Sequence, residues 1–176
     1  MNVNIIYTIR LELISWSPEF MRAALEGDLK TQALTGYQLP TDFPGELTSL
    51  LTRRLKQLEQ NPLEQKFLTR SITLEGHMIG AIGFHTKPDA RGRLEVGYEI
   101  FPEFRRQGFA LEAVKALFNW AKLEHGVKIF VASVSPTNTA SLELIAKLGF
   151  QQIGRQWDEE DGEELVFELQ FSIASR

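Results

Sequence analysis

The sequence contains no cysteine, and this absence excludes disulfide bonds, thiolate metal sites and any reaction that needs a cysteine nucleophile. A cysteine-free chain suits the reducing cytoplasm, where we expect the protein to work. An excess of basic residues is also missing, because the formal net charge is −4. Since a phosphate backbone is bound through clustered positive charge, we expect no nucleic-acid partner.

Long apolar runs and metal-ligand patterns are missing as well. No stretch approaches the ~18 apolar residues of a membrane-crossing helix, and residues 1–13 lack the features of a signal peptide. The three histidines are far apart and form no HxxH or HExxH pattern, so no metal site is expected. With 43% hydrophobic and 24% charged residues, the 176-residue chain predicts one globular domain over residues 1–176.

The spacing of apolar residues predicts alternating helices and strands. In the first half the predicted elements are a strand over residues 8–16, a helix from Pro18 to about Leu25 capped by Ser17 and ended by Gly27, a loop over residues 36–44, and a leucine-rich helix that stops at Pro62. In the second half, two strands joined at Glu75-Gly76 come first, followed by a strand over residues 94–101 and a helix over residues 108–124 that Gly126 ends. A strand over residues 128–134, a short helix ended by Gly149, and a hairpin turning at Asp161-Gly162 complete the chain.

The order of these elements defines the fold class. The strand over residues 128–134 is almost entirely apolar, as expected of a strand covered on both faces. Together with the preceding strand and helix it makes a right-handed β-α-β crossover. We therefore expect a single α/β (α+β) domain with a mixed, mostly antiparallel sheet of seven strands and about four helices.

The segment "FPEFRRQGFALEAVK" places a basic, glycine-containing turn at the start of a long helix. The first turn of a helix offers unpaired N–H groups and a partial positive charge, and both attract anions. Gly108 lets a phosphate approach the backbone, while Arg105 and Arg106 add positive charge. The turn is suited to a pyrophosphate, although an "RRQG" sequence alone is equally compatible with a solvated turn. It matches neither the P-loop pattern nor the G-x-G-x-x-G pattern.

The residues around this turn resemble a known family. Residues 105–110, "RRQGFA", match the [QR]-x-x-G-x-[GA] signature of the GNAT superfamily of N-acetyltransferases, between the strand and the helix where that family has it. The segments "LEVGYEIFPEFRRQGFALEAVKAL" and "PTNTASLELIAKLGF" are similar to the branch of ribosomal-protein N-terminal (Rim-type) acetyltransferases. The resemblance covers nearly the whole chain in order and is weakest between residues 27 and 62.

The resemblance implies acetyl-CoA as co-substrate, with its pyrophosphate on the turn and its pantetheine arm between two splayed strands. The cofactor-binding residues that it implies are Ile100, Phe101, Arg105, Arg106, Gln107, Gly108, Phe109, Ala110 and Asn138. It also implies a bulge in the strand before the turn, for which Gly97 is the candidate. Asn138 is equally suited to a purely structural role as a helix cap.

Acetyl transfer to an amine requires removal of a proton, polarisation of the thioester carbonyl and attack geometry. Glu95 is the first candidate for the base and Glu99 the second, although both are compatible with ordinary half-exposed strand positions. The resemblance places Ser141 near the thioester sulfur and makes it the candidate acid for the departing thiolate, although many members of the family use a tyrosine on this helix and none of this chain's tyrosines lies there. A backbone N–H near Ile100 or Phe101 is expected to hold the developing oxyanion.

The resemblance thus implies an N-acetyltransferase that acts on a primary amine, a protein N-terminus or a small molecule, by direct attack in a ternary complex. A catalytically idle acyl-CoA sensor and a plain phosphate-binding domain remain the alternatives. For the acceptor pocket, the candidates are a wall from residues 36–62, the three tryptophans Trp16, Trp120 and Trp157, and the acidic loop over residues 158–164. Of the tryptophans, Trp157 is the favoured one, and the acidic loop is more simply a solvated hairpin tip. A monomer and a homodimer are both compatible with the sequence.

Overall fold

A computed structural model describes residues 4–159 and 162–171. The strands it contains are β1 Ile5–Tyr7, β2 Glu12–Ser15, β3 Arg70–Leu74, β4 His77–Phe84, β5 Arg93–Ile100, β6 Ile129–Val134, β7 Gln151–Asp158 and β8 Gly162–Gln170. The α-helices are α1 Pro18–Glu26, α2 Asp28–Thr35, α3 Leu47–Gln60, α4 Phe109–His125 and α5 Thr139–Leu148. The expected α/β class is confirmed, but the described residues form eight strands and five helices, where seven and about four were predicted.

The sheet has the strand order β1-β2-β3-β4-β5-β6-β8-β7. Every neighbouring pair is antiparallel except β5 and β6, which are parallel and are connected by α4. The predicted crossover is therefore confirmed. β6 is buried along most of its length, as its apolar sequence requires.

Two hydrophobic clusters cover opposite faces of the sheet. On one face, α4 and α5 pack on a core that contains Phe84, Val96 and Phe130. On the other face, α1 and α3 pack on Trp16 and Ala81. In β4 and β5, successive side chains alternate between these two faces, which we call the α4/α5 face and the α1/α3 face.

The strand predicted over residues 8–16 is present only in its second half, as β2, and its predicted start is wrong. The chain reverses direction at residues 8–11, so that β1 and β2 form an antiparallel hairpin. The Thr8 side chain stabilises the reversal, because its Oγ1 accepts a hydrogen bond from the Leu11 N–H at 2.8 Å and donates one to Glu112 on α4. The acceptor of the second hydrogen bond, Glu112, lies far along the chain, so the sequence around Thr8 does not reveal the reversal.

Helix boundaries in the first half follow the predicted capping residues, with one addition. Ser17 caps α1 by accepting a hydrogen bond from the Phe20 N–H at 3.1 Å, as predicted. At Gly27 the chain takes a φ of 123° and continues at once into α2, an element that the sequence analysis missed. Only Thr31 of α2 is buried, so this helix carries little of the apolar periodicity that reveals a helix in a sequence.

The turns of the second half agree with the sequence. Glu75 and Gly76 both have positive φ, 48° and 81°, as a two-residue hairpin turn with the right twist requires. The C-terminal hairpin of β7 and β8 is also present, with Asp158 paired to Gly162. Asp161, half of the predicted Asp161-Gly162 turn, lies outside the described residues.

Candidate active site

A cleft of about 930 Å³ opens between the end of β5, the start of α4 and the start of α5. Among the predicted cofactor residues, those that line it are Ile100, Arg105, Arg106, Gly108, Phe109, Ala110 and Asn138. Lys147, which the sequence analysis did not single out, also lines it. The other two predicted residues, Phe101 and Gln107, are not part of its lining.

The turn between β5 and α4 has the backbone shape of an anion site. Arg106 and Gly108 both take left-handed conformations, with φ of 60° and 81°, and α4 begins immediately afterwards. None of the described side chains caps α4, so its first N–H groups remain available to a ligand. Alternating backbone conformations at a helix start create a concavity of N–H groups that suits a phosphate.

Arg10 supports this turn from the N-terminal hairpin, a contact that no sequence pattern indicates. Its guanidinium donates a hydrogen bond to the Gln107 carbonyl at 3.2 Å and lies 4.4 Å from the centre of the Phe109 ring. The same guanidinium forms an ion pair with Glu112 at 2.7 Å. The hairpin therefore fixes the position of the turn and places a further positive charge beside it.

We predict that Glu112→Gln makes the protein less sensitive to acid. Burial opposes ionisation of Glu112, but hydrogen bonds from Thr8 and Arg10 outweigh it and lower the pKa of the carboxyl below the usual 4.5. The ionised form thus stabilises the folded state above pH 4.5, and this contribution is lost as the pH falls through the lower, folded-state pKa. Urea unfolding should show a loss of about 1 to 2 kcal/mol at neutral pH and a flatter pH dependence below it.

The control for this experiment is Glu124→Gln, an exposed glutamate at the other end of α4. The free energy of unfolding of Glu124→Gln should depend on pH in the same way as that of the wild type. An equal effect of the two substitutions would show that Glu112 acts only through the net charge.

The two parallel strands separate beside the cleft. β5 and β6 are paired only over residues 93–95 and 129–131, although β5 continues to Ile100 and β6 to Val134. The Phe101 N–H and the Glu95 carbonyl are bonded to the β4 side of the strand, so backbone groups of Tyr98 and Ile100 point towards the gap. The expected splay is therefore present in the structure.

Phe101 differs from the prediction made for it. Its N–H donates to the Ile79 carbonyl at 2.9 Å, so this donor is not available to an oxyanion or to a cofactor arm. The carbonyl of Ile100 accepts from the Arg105 guanidinium at 2.8 Å. The N–H of Ile100 is the remaining candidate donor at this end of β5.

The predicted bulge at Gly97 is wrong. β4 and β5 pair in an unbroken register over residues 80–84 and 96–100, with Gly83 opposite Gly97. The glycine instead provides room for a neighbouring side chain, because a Cβ at Gly97 would come within 2.9 Å of the His85 Nε2 atom. Glu95, Gly97 and Glu99 therefore share the α1/α3 face.

The two candidate bases have different surroundings. Glu99 lines the cleft, and burial together with the nearby charge of Glu46 raises the pKa of its carboxyl, while Arg105 acts against this. Glu95 does not line the cleft. It accepts a hydrogen bond from the Ser133 hydroxyl at 2.6 Å and lies 3.6 Å from Nδ1 of His85.

Asn138 and Ser141 lie together at the start of α5, and both line the cleft. Asn138 caps the helix by accepting a hydrogen bond from the Ser141 N–H at 3.1 Å, which is the structural role considered above. The buried hydroxyl of Tyr98 also faces this region and lacks a well-formed hydrogen bond within the part of the chain that the structure describes. Burial raises the pKa of this phenol, and the Ser141 hydroxyl acts in the opposite direction.

The tryptophans do not form a common pocket. Trp16 is buried, and its indole N–H donates to the Ser71 hydroxyl at 2.8 Å. Trp120 is half-buried and lies over the Arg70 guanidinium. Trp157, on the edge strand β7, is 77% exposed and does not line the cleft.

Comparison with protein families supports the assignment that the geometry suggests. The family model described as "Acetyltransferase (GNAT) domain" matches residues 10–151. The chain belongs to the GNAT acetyltransferase family. In the described residues of this GNAT domain there is no cluster of side chains suited to a metal ion, and no helix is long and apolar enough to cross a membrane.

Curated relatives come from bacilli. The chain is 39% identical over 87 residues to the uncharacterized N-acetyltransferase YoaA of Bacillus subtilis, which covers 48% of this chain and 49% of YoaA. It is 33% identical over 101 residues to the uncharacterized N-acetyltransferase p20 of Bacillus licheniformis, covering 56% of each. The chain thus matches about half the length of these relatives.

Solved GNAT structures share the fold over nearly the whole chain. RimL, described as a ribosomal L7/L12 alpha-N-protein acetyltransferase in complex with coenzyme A, superimposes with a TM-score of 0.69 at 21% identity, covering 95% of this chain and 98% of RimL. RimJ of Mycobacterium smegmatis gives a TM-score of 0.65 at 17% identity, covering 96% and 85%. At sequence identities this low, the similarity to these structures shows a shared fold.

Proposed function

We propose that this protein is an acetyl-CoA-dependent N-acetyltransferase that acetylates a primary amine by direct attack on the bound thioester. The observation that carries the proposal is the combination of two features in one cleft. An uncapped helix start with left-handed residues before it suits a pyrophosphate, and a strand without a partner beside it suits the amide groups of a pantetheine arm.

In this proposal, the turn over residues 105–110 binds the pyrophosphate through its backbone N–H groups. Arg106 and Lys147 line the cleft and supply positive charge to the phosphates. The unpaired edge of β5 near Ile100 binds the pantetheine amides in place of a neighbouring strand. Asn138 contacts the same arm from α5, in addition to capping that helix.

The acceptor amine reaches the thioester from the α1/α3 face in this proposal. Glu95 and Glu99 lie on that face at the place where β5 and β6 separate, so proton removal belongs to the groups around them. Ser141 then returns a proton to the thiolate of coenzyme A from the α5 side. Because the chain contains no cysteine, a cysteine-bound acetyl group cannot occur and direct transfer is the simplest route.

A thiol-release assay tests this proposal directly. The protein would be mixed with acetyl-CoA and a panel of amines, including polyamines, amino acids and N-terminal peptides such as those of ribosomal L7/L12. Free thiol is then followed with a colorimetric reagent, and the cysteine-free protein contributes no background. We expect release above the enzyme-free control with one class of acceptor.

The thiol-release assay, together with a measurement of acetyl-CoA binding, separates the alternative functions. Tight binding of acetyl-CoA without thiol release across the whole panel would favour an idle acyl-CoA sensor. Equal affinity for acetyl-CoA and for inorganic pyrophosphate would favour a plain phosphate-binding domain, since such a domain makes no use of the gap beside β5.

A further inference from the structure

His85 and Glu95 face each other across the β4–β5 ladder on the α1/α3 face. The His85 N–H donates to the Glu95 carbonyl at 2.9 Å, which makes the two residues direct cross-strand neighbours. Their side chains meet as well, with Nδ1 of His85 3.6 Å from Oε2 of Glu95. We propose that His85 is the general base of acetyl transfer and that Glu95 positions it. This inference rests on the function proposed above and names the group that takes the proton.

The position of Glu95 makes it a poor base by itself. Its Oε1 atom accepts the 2.6 Å hydrogen bond from Ser133, and its Oε2 atom faces the His85 ring. The Ser133 hydroxyl in turn accepts a hydrogen bond from the Gln156 amide at 3.1 Å, which also donates to Glu164 at 2.8 Å. Both carboxylate oxygens are therefore engaged, and a hydrogen-bond network with members on β5, β6, β7 and β8 fixes the carboxylate.

The other nitrogen of His85 faces β5 beside the place where β5 and β6 separate. Nε2 lies above Gly97, where a Cβ would come within 2.9 Å of it. Pairing of β5 with β6 ends at Glu95, so Gly97 is the next residue on this face and lies beside the gap. A carboxylate next to Nδ1 favours the tautomer with a proton on Nδ1, which leaves the lone pair on Nε2 free to accept a proton.

The backbone holds His85 without using its ring. Its carbonyl accepts hydrogen bonds from the Arg54 guanidinium at 2.7 Å and from the Gln57 amide at 3.2 Å. The side chain itself is 47% exposed, so a substrate can reach it. A substitution of the His85 side chain therefore leaves these anchoring hydrogen bonds in place.

The charges around His85 favour the neutral ring. Burial against the sheet lowers the pKa of the imidazole, and the guanidinium groups act in the same direction, while the carboxylates raise it. The charged groups that act on the ring are Glu95 on β5, Glu164 on β8, and Arg53 and Arg54 on α3. A histidine whose pKa lies below its usual value is neutral at physiological pH, which is the form that accepts a proton.

The acceptor arrives as an ammonium ion and gives one proton to Nε2, which creates an imidazolium beside the Glu95 carboxylate. The amine lone pair then forms the C–N bond as the C–S bond breaks, and sulfur leaves with the electron pair. The second proton of the nitrogen passes to the thiolate, and His85 later releases its proton to water.

The test compares the pH profiles of three variants with wild type, using the acceptor that supports thiol release. His85→Gln should lower kcat about 100-fold or more and remove the acid limb of kcat/KM, while KM for acetyl-CoA stays within about twofold. Glu95→Gln should keep an acid limb but move it to lower pH, because the carboxylate raises the pKa of His85. The control is His77→Gln, an exposed histidine at the start of β4, which should behave as wild type.

A second measurement does not depend on turnover. The protein has three histidines, so NMR of histidine-labelled protein can follow the titration of each ring. The resonance absent from His85→Gln should titrate with a pKa below the ordinary histidine value, and this pKa should fall further in Glu95→Gln.

The outcomes are distinguishable. Wild-type activity with an acid limb that vanishes in Glu95→Gln and persists in His85→Gln would make Glu95 the base and overturn this inference alone. A His85 titration that Glu95→Gln leaves unchanged would overturn the positioning role of Glu95. Absence of wild-type turnover with every amine would overturn the proposed function, and the inference with it.

Discussion

Gly108→Val is expected to weaken the binding of coenzyme A about 100-fold or more, because loss of two charge-assisted hydrogen bonds removes about 3 kcal/mol or more. Gly108 holds a φ of 81° immediately before α4. A β-branched side chain disfavours that conformation, so the turn relaxes and its N–H groups no longer converge on a phosphate. Isothermal titration calorimetry with coenzyme A measures the effect directly.

The matched control is Gly92→Val. Gly92 has a φ of 74° in the loop between β4 and β5, with no atom within 4 Å of an added Cβ, and it does not line the cleft. Valine therefore introduces a similar backbone strain there without touching the site. Equal loss of affinity in both variants would trace the effect to general destabilisation, and wild-type affinity in Gly108→Val would remove the turn from the binding site.

Phe130→Ala should lower the free energy of unfolding by about 3 to 5 kcal/mol, the usual cost of truncating a buried aromatic residue. Phe130 is fully buried in β6, and its ring stacks on Phe118 of α4 with centroids 3.9 Å apart. Phe84 and Phe171 surround the same ring. These neighbours come from separate elements, so they cannot close together to fill the cavity.

Urea unfolding measures this loss, and thermal unfolding should show a fall in Tm of about 2 to 4 °C for each kcal/mol. Ile153→Ala is the control, since Ile153 is 54% exposed on β7 and should change stability by less than about 0.5 kcal/mol. A loss below about 1 kcal/mol for Phe130→Ala would mean that the core beside the crossover rearranges around the cavity.

The elements that could be predicted from the sequence are those with strong local signals. The β-α-β crossover follows from an unbroken apolar strand after an amphipathic helix, and the β3–β4 turn from a single glycine-containing dipeptide. The turn before α4 also has a strong local signal, because the features that make a helix start suitable for an anion come from residues that are adjacent in the sequence. The crossover and the β3–β4 turn are confirmed, and anion binding at the turn before α4 stays a prediction.

The errors concern features that distant contacts decide. The chain reverses at residues 8–11 where Thr8 meets Glu112, which is 104 positions later in the sequence. The pair His85 and Glu95 depends on the register between β4 and β5, and the loop that joins these strands is too long to fix the register through a tight turn. The predicted bulge at Gly97 is wrong for the same reason, because the glycine instead makes room for the His85 ring across the ladder.

The separation of β5 from β6 also divides the sheet into two half-sheets, β1 to β5 and β6 to β8. In the described chain they share only the three residue pairs that begin at Arg93 and Ile129, along with the cover of α4 and α5. A ligand that pairs with the free edge of β5 fills the gap between the two half-sheets. Such a ligand binds only the folded chain and therefore stabilises it against unfolding. We therefore expect the resistance of the protein to proteolysis to rise with the concentration of coenzyme A, because the bound co-substrate closes the seam between the two half-sheets.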